Sequence, residues 1–185
     1  MSDAVVIRLL EQADLRQITA IYQHYVRTHT ATFEVDPPDA LEMSARAQRI
    51  REAGLPYLVA TEADRVVGYC YAGPYRTRAA YRHTLENSVY LEPSCVGRGI
   101  GTQLLQALLA QCSAAGYREM VAIIGDSQNR ASIQLHVKNG FSHVGTLRNV
   151  GFKFCRWHDV GWWQKELQRP GDPGPPEKFG GIVQA

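Results

Sequence analysis

The sequence predicts a mixed α/β fold, in which a central sheet carries helices on both faces. Three observations point there. Short β-branched and aromatic runs, residues 57–61, 66–72 and 85–91 among them, are interleaved with segments whose apolar residues recur at helical spacing. The order reads βαα, ββ, β, α, β, α, ββ, a mixed arrangement that suits one sheet with helices packed against it. Residues 119–124 form a continuous apolar run of the kind that a strand buried on both faces requires.

Residues 5–10 read as a first strand. Leu15, Ile18, Ile21, Tyr22, Tyr25 and Val26 then line one face of a helix over about residues 14–27. Residues 28–38 form a polar, proline-ended loop containing Thr32-Phe33-Glu34, and a second helix over 39–53 stops at Gly54. Strands 57–61 and 66–72 flank an Ala63-Asp64-Arg65 turn, and Gly73-Pro74 is expected to break the second of them. Residues 75–84 make a basic, aromatic loop before strand 85–91. Ile100, Leu104, Leu105, Leu108 and Cys112 share one face of a long helix that ends near Gly116. After the apolar strand comes a short helix over 129–138, closed by Asn139-Gly140, and two last strands over about 142–148 and 153–167. We expect residues 1–168 to form one domain, and the Pro/Gly-rich residues 169–185 to be a loose tail without a core of their own.

Composition narrows the classes of function. An apolar fraction of 45% and a charged fraction of 21% are ordinary for a globular protein, and 185 residues suffice for a full core. A net charge of +2 with no Lys/Arg run argues against nucleic acid. No apolar stretch is long enough for a membrane span, and Met1-Ser2-Asp3-Ala4 lacks the features of a signal peptide, so a cytoplasmic setting is expected. Cys70, Cys95, Cys112 and Cys155 are widely spaced and make disulfides and zinc poor readings. Cys95 has no adjacent His or Lys to lower its pKa and reads as a small buried thiol.

The densest chemical signal is Val89-Tyr90-Leu91-Glu92-Pro93-Ser94-Cys95-Val96-Gly97-Arg98-Gly99-Ile100-Gly101. A strand stops at a proline, and a glycine-rich loop opens onto a leucine-rich helix. Such a loop turns backbone N–H groups and a helix dipole toward one point, a site for phosphate. Gly97, Gly99 and Gly101 leave no side chain in the way. A dinucleotide fingerprint fails because Thr102 stands where its third glycine belongs, and no Gly-Lys-Ser/Thr string supports a P-loop.

Glu86 lies within an otherwise apolar strand, where a carboxylate has either a buried ion-pair partner, such as Arg76, Arg78 or Arg82, or a chemical task. As a general base its pKa would be raised by partial burial. His136 is either a packing residue on a half-buried helix or a proton donor working near neutral pH. Asn129 and Ser132 are candidate ligands for a cofactor arm or ordinary cap chemistry. In Tyr75-Arg76-Thr77-Arg78-Ala79-Ala80-Tyr81-Arg82, guanidinium groups suit capture of an anionic substrate group, against the alternative of solvated surface charge. Phe33 and Glu34 are candidates to line the same pocket.

The x-x-G-x-G/A spacing of residues 96–101 resembles the pyrophosphate loop of the GNAT acyltransferases, with Val96 where that loop usually begins with Gln or Arg. Residues 135–141, Leu-His-Val-Lys-Asn-Gly-Phe, resemble the superfamily's L-Y-x-K-x-G-F segment with His136 in the tyrosine position. Thr30-Ala31-Thr32-Phe33-Glu34, Glu86-Asn87-Ser88-Val89-Tyr90, Gly145-Thr146-Leu147-Arg148, Gly151-Phe152-Lys153 and residues 157–164 resemble one branch, the phosphinothricin N-acetyltransferases and related L-amino-acid N-acyltransferases. The resemblance covers about residues 5–167. It implies a central mixed, mostly antiparallel sheet flanked by helices, with acetyl-CoA as co-substrate and no metal. It further implies Glu86 as general base, His136 as donor to the departing thiolate, and an oxyanion held by amides at Val89, Tyr90 and Leu91. The pyrophosphate would lie on Gly97, Arg98, Gly99, Ile100, Gly101 and Thr102. Tyr81, Arg78 and Lys153 would face the amino-acid substrate, and a homodimer is expected, with Trp157, Trp162 and Trp163 at or near the interface. Two rivals stand beside this reading: an acetyltransferase for another amine, such as a polyamine, an antibiotic or a protein N-terminus, and a non-catalytic acetyl-CoA sensor.

Overall fold

The computed structural model describes residues 4–167, so the expected tail of 169–185 lies outside the described residues. Seven strands form one sheet in the order β1-β2-β3-β4-β5-β7-β6. They are β1 (Val6–Leu9), β2 (Tyr57–Glu62), β3 (Arg65–Pro74), β4 (Thr84–Leu91), β5 (Glu119–Gly125), β6 (Ser142–Lys153) and β7 (Arg156–Glu166). Every neighbouring pair is antiparallel except β4 with β5.

Four helices cover the sheet: α1 (Leu15–Thr28), α2 (Ala40–Glu52), α3 (Ile100–Ala114) and α4 (Arg130–Lys138). On one face α1 buries Leu15, Ile18, Ile21, Tyr22 and Val26 against Tyr57, Val59, Tyr69 and Tyr90, with Met43 and Ala47 of α2 completing the cluster. On the other face α3 buries Leu104, Leu105 and Leu108 against Leu58, Val67, Leu85 and Met120. Each buried leucine contributes about 1.5–3 kcal/mol of transfer free energy, which is why α3 tolerates so little polarity. The helix ends follow local chemistry. Asp39 accepts from the Glu42 amide at the start of α2, and Gly54, Gly116 and Gly140 close α2, α3 and α4 with positive φ.

Two expected boundaries move. Strand β3 is not broken at Gly73-Pro74 but pairs Pro74 with Leu85, because a proline at a strand's last residue needs no ladder donor. The last two strands meet in a hairpin rather than leaving a gap at 149–152. Phe154 and Cys155, both at positive φ (51° and 57°), make its two-residue turn. The register slips between Leu147 and Gly151, where Asn149 also has positive φ. Among the described residues, no helix is long and apolar enough to cross a membrane.

Candidate active site

Parallel pairing of β4 and β5 covers only Thr84–Glu119, Leu85–Met120 and Glu86–Val121. Beyond it the strands diverge, and a cleft of about 840 Å³ opens, walled by residues 86–91 of β4 and 122–125 of β5. The amide of Glu92 donates to the Val67 carbonyl, and the Tyr25 hydroxyl reaches across to the Leu91 carbonyl at 2.8 Å. Antiparallel alternation therefore turns the main-chain groups of Val89 and Leu91 toward the cleft, and those of Ser88 and Tyr90 toward β3. Side chains alternate oppositely across the sheet. Leu85, Val89 and Leu91 pack with the α3 cluster, whereas Tyr90 packs with the α1 cluster. By the same alternation Glu86 and Ser88 share the α1 face. The fork thus joins the two faces of the sheet at one point.

The glycine loop closes one end. Gly97 and Gly99 have φ of +84° and +81°, a conformation that costs other residues about 1–2 kcal/mol, and Gly99 caps α3. Val96, Gly97, Gly99, Gly101 and Thr102 line the cleft. Of the first-turn amides of α3, that of Thr102 donates to the Gly99 carbonyl at 3.1 Å, whereas those of Ile100 and Gly101 come before the first helical acceptor, so the loop fits a diphosphate. Arg98 and Ile100, expected at the phosphate, do not line the cleft: the guanidinium of Arg98 pairs with Glu62, and Ile100 is buried in the core. Cys95 is buried and off the cleft wall. Asn129 and Ser132 both line the cleft, with the Asn129 side chain accepting from the Ser132 amide at 3.2 Å as the cap of α4.

Glu86 lines the cleft and is half-buried. Burial raises its pKa, partly offset by the positive charge of Arg76. His136 is 4% exposed. Its Nδ1 lies 2.8 Å from the Ser132 carbonyl, its Nε2 lies 3.0 Å from Asn87 Oδ1, and its ring meets Phe141 edge-on at 4.9 Å. Burial lowers its pKa, and the Ser132 carbonyl opposes that.

The first loop forms the acceptor side. His29, Thr30, Ala31, Thr32 and Phe33 line the cleft. Phe33 occupies a seat without side chains: a Cβ on Gly151 would stand 2.1 Å from its ring, and one on Gly125 would stand 2.6 Å from the Thr30 carbonyl. Glu34, expected in the pocket, is drawn off its wall. It accepts from the Tyr22 hydroxyl at 2.8 Å and pairs with Arg46 of α2 at 2.6 Å. Lys153, expected to face the substrate, is 3% exposed and does not reach the cleft. Its Nζ instead donates to the carbonyls of His29 (2.8 Å) and Thr32 (2.7 Å). Burial lowers its pKa, with Glu34 opposing. Thr30 also donates to Asp126, which faces His158 at 3.5 Å.

Tyr75, Arg76, Arg78 and Tyr81 do not line the cleft either. Tyr75 packs edge-on to Trp162 and Tyr81, and Arg76 lies over the Tyr75 ring at 4.3 Å. Arg78 is exposed at the start of a short turn. Residues that sequence reasoning missed include Tyr25, His29, Thr30, Asn87 and Asp126. Only Asn87, a polar residue in an apolar strand, left a signal comparable to that of Glu86.

The sequence profile of the acetyltransferase (GNAT) domain matches residues 7–162. The chain belongs to the GNAT acetyltransferase family. It is similar to the phosphinothricin N-acetyltransferase of Alcaligenes faecalis, with 49% identity over 94% of this chain and 88% of that one. It is also similar to the L-methionine sulfoximine/L-methionine sulfone acetyltransferase of Salmonella typhimurium, with 38% identity over 90% of this chain and 97% of the relative. Among solved structures, a GNAT superfamily phosphinothricin acetyltransferase from Sinorhizobium meliloti in complex with acetyl-CoA superposes with a TM-score of 0.89, at 40% identity and 95% coverage of both chains. This GNAT chain therefore has the fold of its relatives as well as their sequence pattern.

Proposed function

We infer that this chain moves the acetyl group of acetyl-CoA to the α-amino group of a small polar amino-acid analogue, of the phosphinothricin or methionine sulfoximine/sulfone class. The observation that carries the reading is one cleft with a glycine anion cradle at one end and the half-buried carboxylate of Glu86 on the strand that forks beside it. The substrate class rests on the relatives.

An ammonium has no lone pair, so Glu86 first takes one proton from the substrate, directly or through water. The amine then attacks the thioester carbon in a ternary complex, forming the C–N bond. Backbone amides of Val89 and Leu91 hold the oxyanion. As the C–S bond breaks, the second amine proton ends on the coenzyme A sulfur, and Glu86 returns its proton to solvent. With both ring nitrogens engaged, His136 supports the cleft and does not hand a proton to the thiolate. The donor lies along α3 and α4, and the acceptor enters beside residues 29–33. We take residues 1–168 as one acetyltransferase domain, and a cytoplasmic setting fits its need for the acetyl-CoA pool.

The test is free-thiol release from acetyl-CoA over a panel of amines: phosphinothricin, methionine sulfoximine, methionine sulfone, ordinary amino acids, spermidine and a basic peptide. Fast turnover confined to the first three is expected. Turnover only on the others would refute the substrate class, and tight acetyl-CoA binding without turnover on any amine would favour a sensor.

We further propose a homodimer through the β6–β7 hairpin. Its outer surface exposes Val144, Leu147, Val150 and Phe152 on the edge strand β6, with Phe154 in the turn and Trp157, 63% exposed, on the neighbouring β7. Of the three tryptophans considered for the interface, Trp163 instead packs against the α3 cluster and Trp162 supports Tyr75 and Arg76. Light scattering at micromolar concentration should give twice the chain mass, and Trp157→Asp should give the monomer. A monomeric wild type removes the proposal.

A further inference from the structure

The acceptor side of the cleft ends at Asp126, the residue after Gly125 of β5. Its backbone has a φ of +68°, a conformation that residues other than glycine seldom adopt and that Asp and Asn adopt more readily than most. Its Oδ1 accepts from the Gln128 amide at 2.9 Å. Its Oδ2 accepts from the Thr30 hydroxyl at 3.2 Å and lies 3.5 Å from Nδ1 of the buried His158. Thr30 belongs to the loop that forms the acceptor wall, so this carboxylate stands at the acceptor's end of the cleft, with its side chain 27% exposed.

Charge along the cleft is uneven. Among the described residues, the Asp, Glu, Lys and Arg side chains that line it are Glu86, Asp126 and Lys138. Lys138 ends α4, on the side of the donor. The acceptor side therefore presents two carboxylates and no ammonium or guanidinium. Lys153 stands behind the loop with its Nζ on the carbonyls of His29 and Thr32, and Arg46 is paired with Glu34 and Glu42. Arg76 acts on Glu86, at the fork, without lining the cleft. His158 touches Asp126 from outside the cleft, with its Nε2 on the Lys153 carbonyl at 3.1 Å.

We propose that Asp126 is a specificity-determining residue: it makes the acceptor end of the cleft select a neutral side chain over an anionic one. The proposal rests on the acetyl-transfer reading above and ranks the acceptors within it. Phosphinothricin, methionine sulfoximine and methionine sulfone present the same α-amino group to Glu86, so they differ only in the side chain. The phosphinate of phosphinothricin is an anion at neutral pH. The sulfone and sulfoximine groups are neutral, and the sulfoximine adds an N–H that a carboxylate can accept. An anion that faces Asp126 in a pocket partly closed to water, with no cation beside it, is repelled. Thr30 and Gln128 hold the carboxylate in place, so it does not swing aside to admit one.

Acetylation of the three acceptors, measured side by side with the wild-type enzyme, tests the ranking. For both neutral acceptors kcat/KM is expected to exceed that for phosphinothricin about tenfold. Equal or faster turnover of phosphinothricin overturns the proposal and leaves the acetyl-transfer reading intact. A sulfone as slow as phosphinothricin overturns it too, because charge would then not decide. Asp126→Asn removes the charge, keeps an oxygen for the Gln128 amide and suits the positive φ. In that variant the ratio of kcat/KM for phosphinothricin to that for the sulfone should rise about tenfold. A purely structural role for Asp126 would loosen the loop for every acceptor alike, and an unchanged ratio therefore counts against the proposal. Should that protein fail to fold, the wild-type ranking alone decides. Silence on all three acceptors, with acetyl-CoA still bound, removes the acetyl-transfer reading itself and this inference with it.

Discussion

Glu86→Gln is expected to lower kcat by about 10²–10⁴-fold while leaving acetyl-CoA binding nearly unchanged. The carboxylate stands on the α1 face of β4, whereas the glycine cradle and α3 lie on the other, so the substitution removes the base without touching the donor site. The same residue sets a pH limb. Glu86 acts only when deprotonated, and burial raises its pKa, so kcat/KM should fall with acid above the ordinary carboxylate range. Arg76 opposes that shift, and Arg76→Ala should therefore move the limb to still higher pH. Stability responds with the opposite sign. A carboxyl whose folded pKa is raised contributes stability below its unfolded pKa, and the contribution is lost as pH rises through the folded value. At pH 7 the native charge is a burden, and Glu86→Gln should melt no lower than wild type. Unchanged turnover in Glu86→Gln, measured with a working acceptor, would remove the base assignment.

Lys153→Met is expected to raise KM for the acceptor about tenfold and to leave acetyl-CoA binding intact. The ammonium holds two carbonyls of the first loop, His29 and Thr32, and the loop forms the acceptor wall. Each carbonyl left without a donor costs about 1–3 kcal/mol, and relief of a buried charge offsets part of it. A net loss of about 2 kcal/mol corresponds to a fall of roughly 4–8 °C in Tm. Hydrogen exchange of residues 28–33 reads the cause directly, since faster exchange there, with β4 and β5 unaffected, identifies a loosened loop. Wild-type exchange and KM would show that Phe33, in its seat by Gly125 and Gly151, holds the loop alone.

Glu34 and Lys153 illustrate where reading the chain stops short. Glu34 was placed in the pocket by its position in the first long loop, and Lys153 by the family resemblance. Their partners decide otherwise. Arg46 lies on the next helix, and His29 is 124 residues from Lys153. The tryptophans behaved the same way: three aromatic residues in one run met three different surroundings, because alternation along β7 and its position between β5 and β6 set them apart.

By itself the sequence determined the elements that local chemistry controls. Apolar spacing laid out α1 and α3, caps and glycines ended the helices, and the loop after β4 declared an anion site before any fold was known. A lone carboxylate in an apolar strand marked Glu86 for the same reason: burial of a charge is costly enough to be visible one residue at a time. The fork between β4 and β5, the bonding of His136 to Asn87, 49 residues away, and the anchoring of the acceptor loop were decided only by the tertiary structure. Each joins groups whose separation along the chain is far greater than one turn or one strand, and hydrogen-bond partners at that range are chosen by the packed sheet.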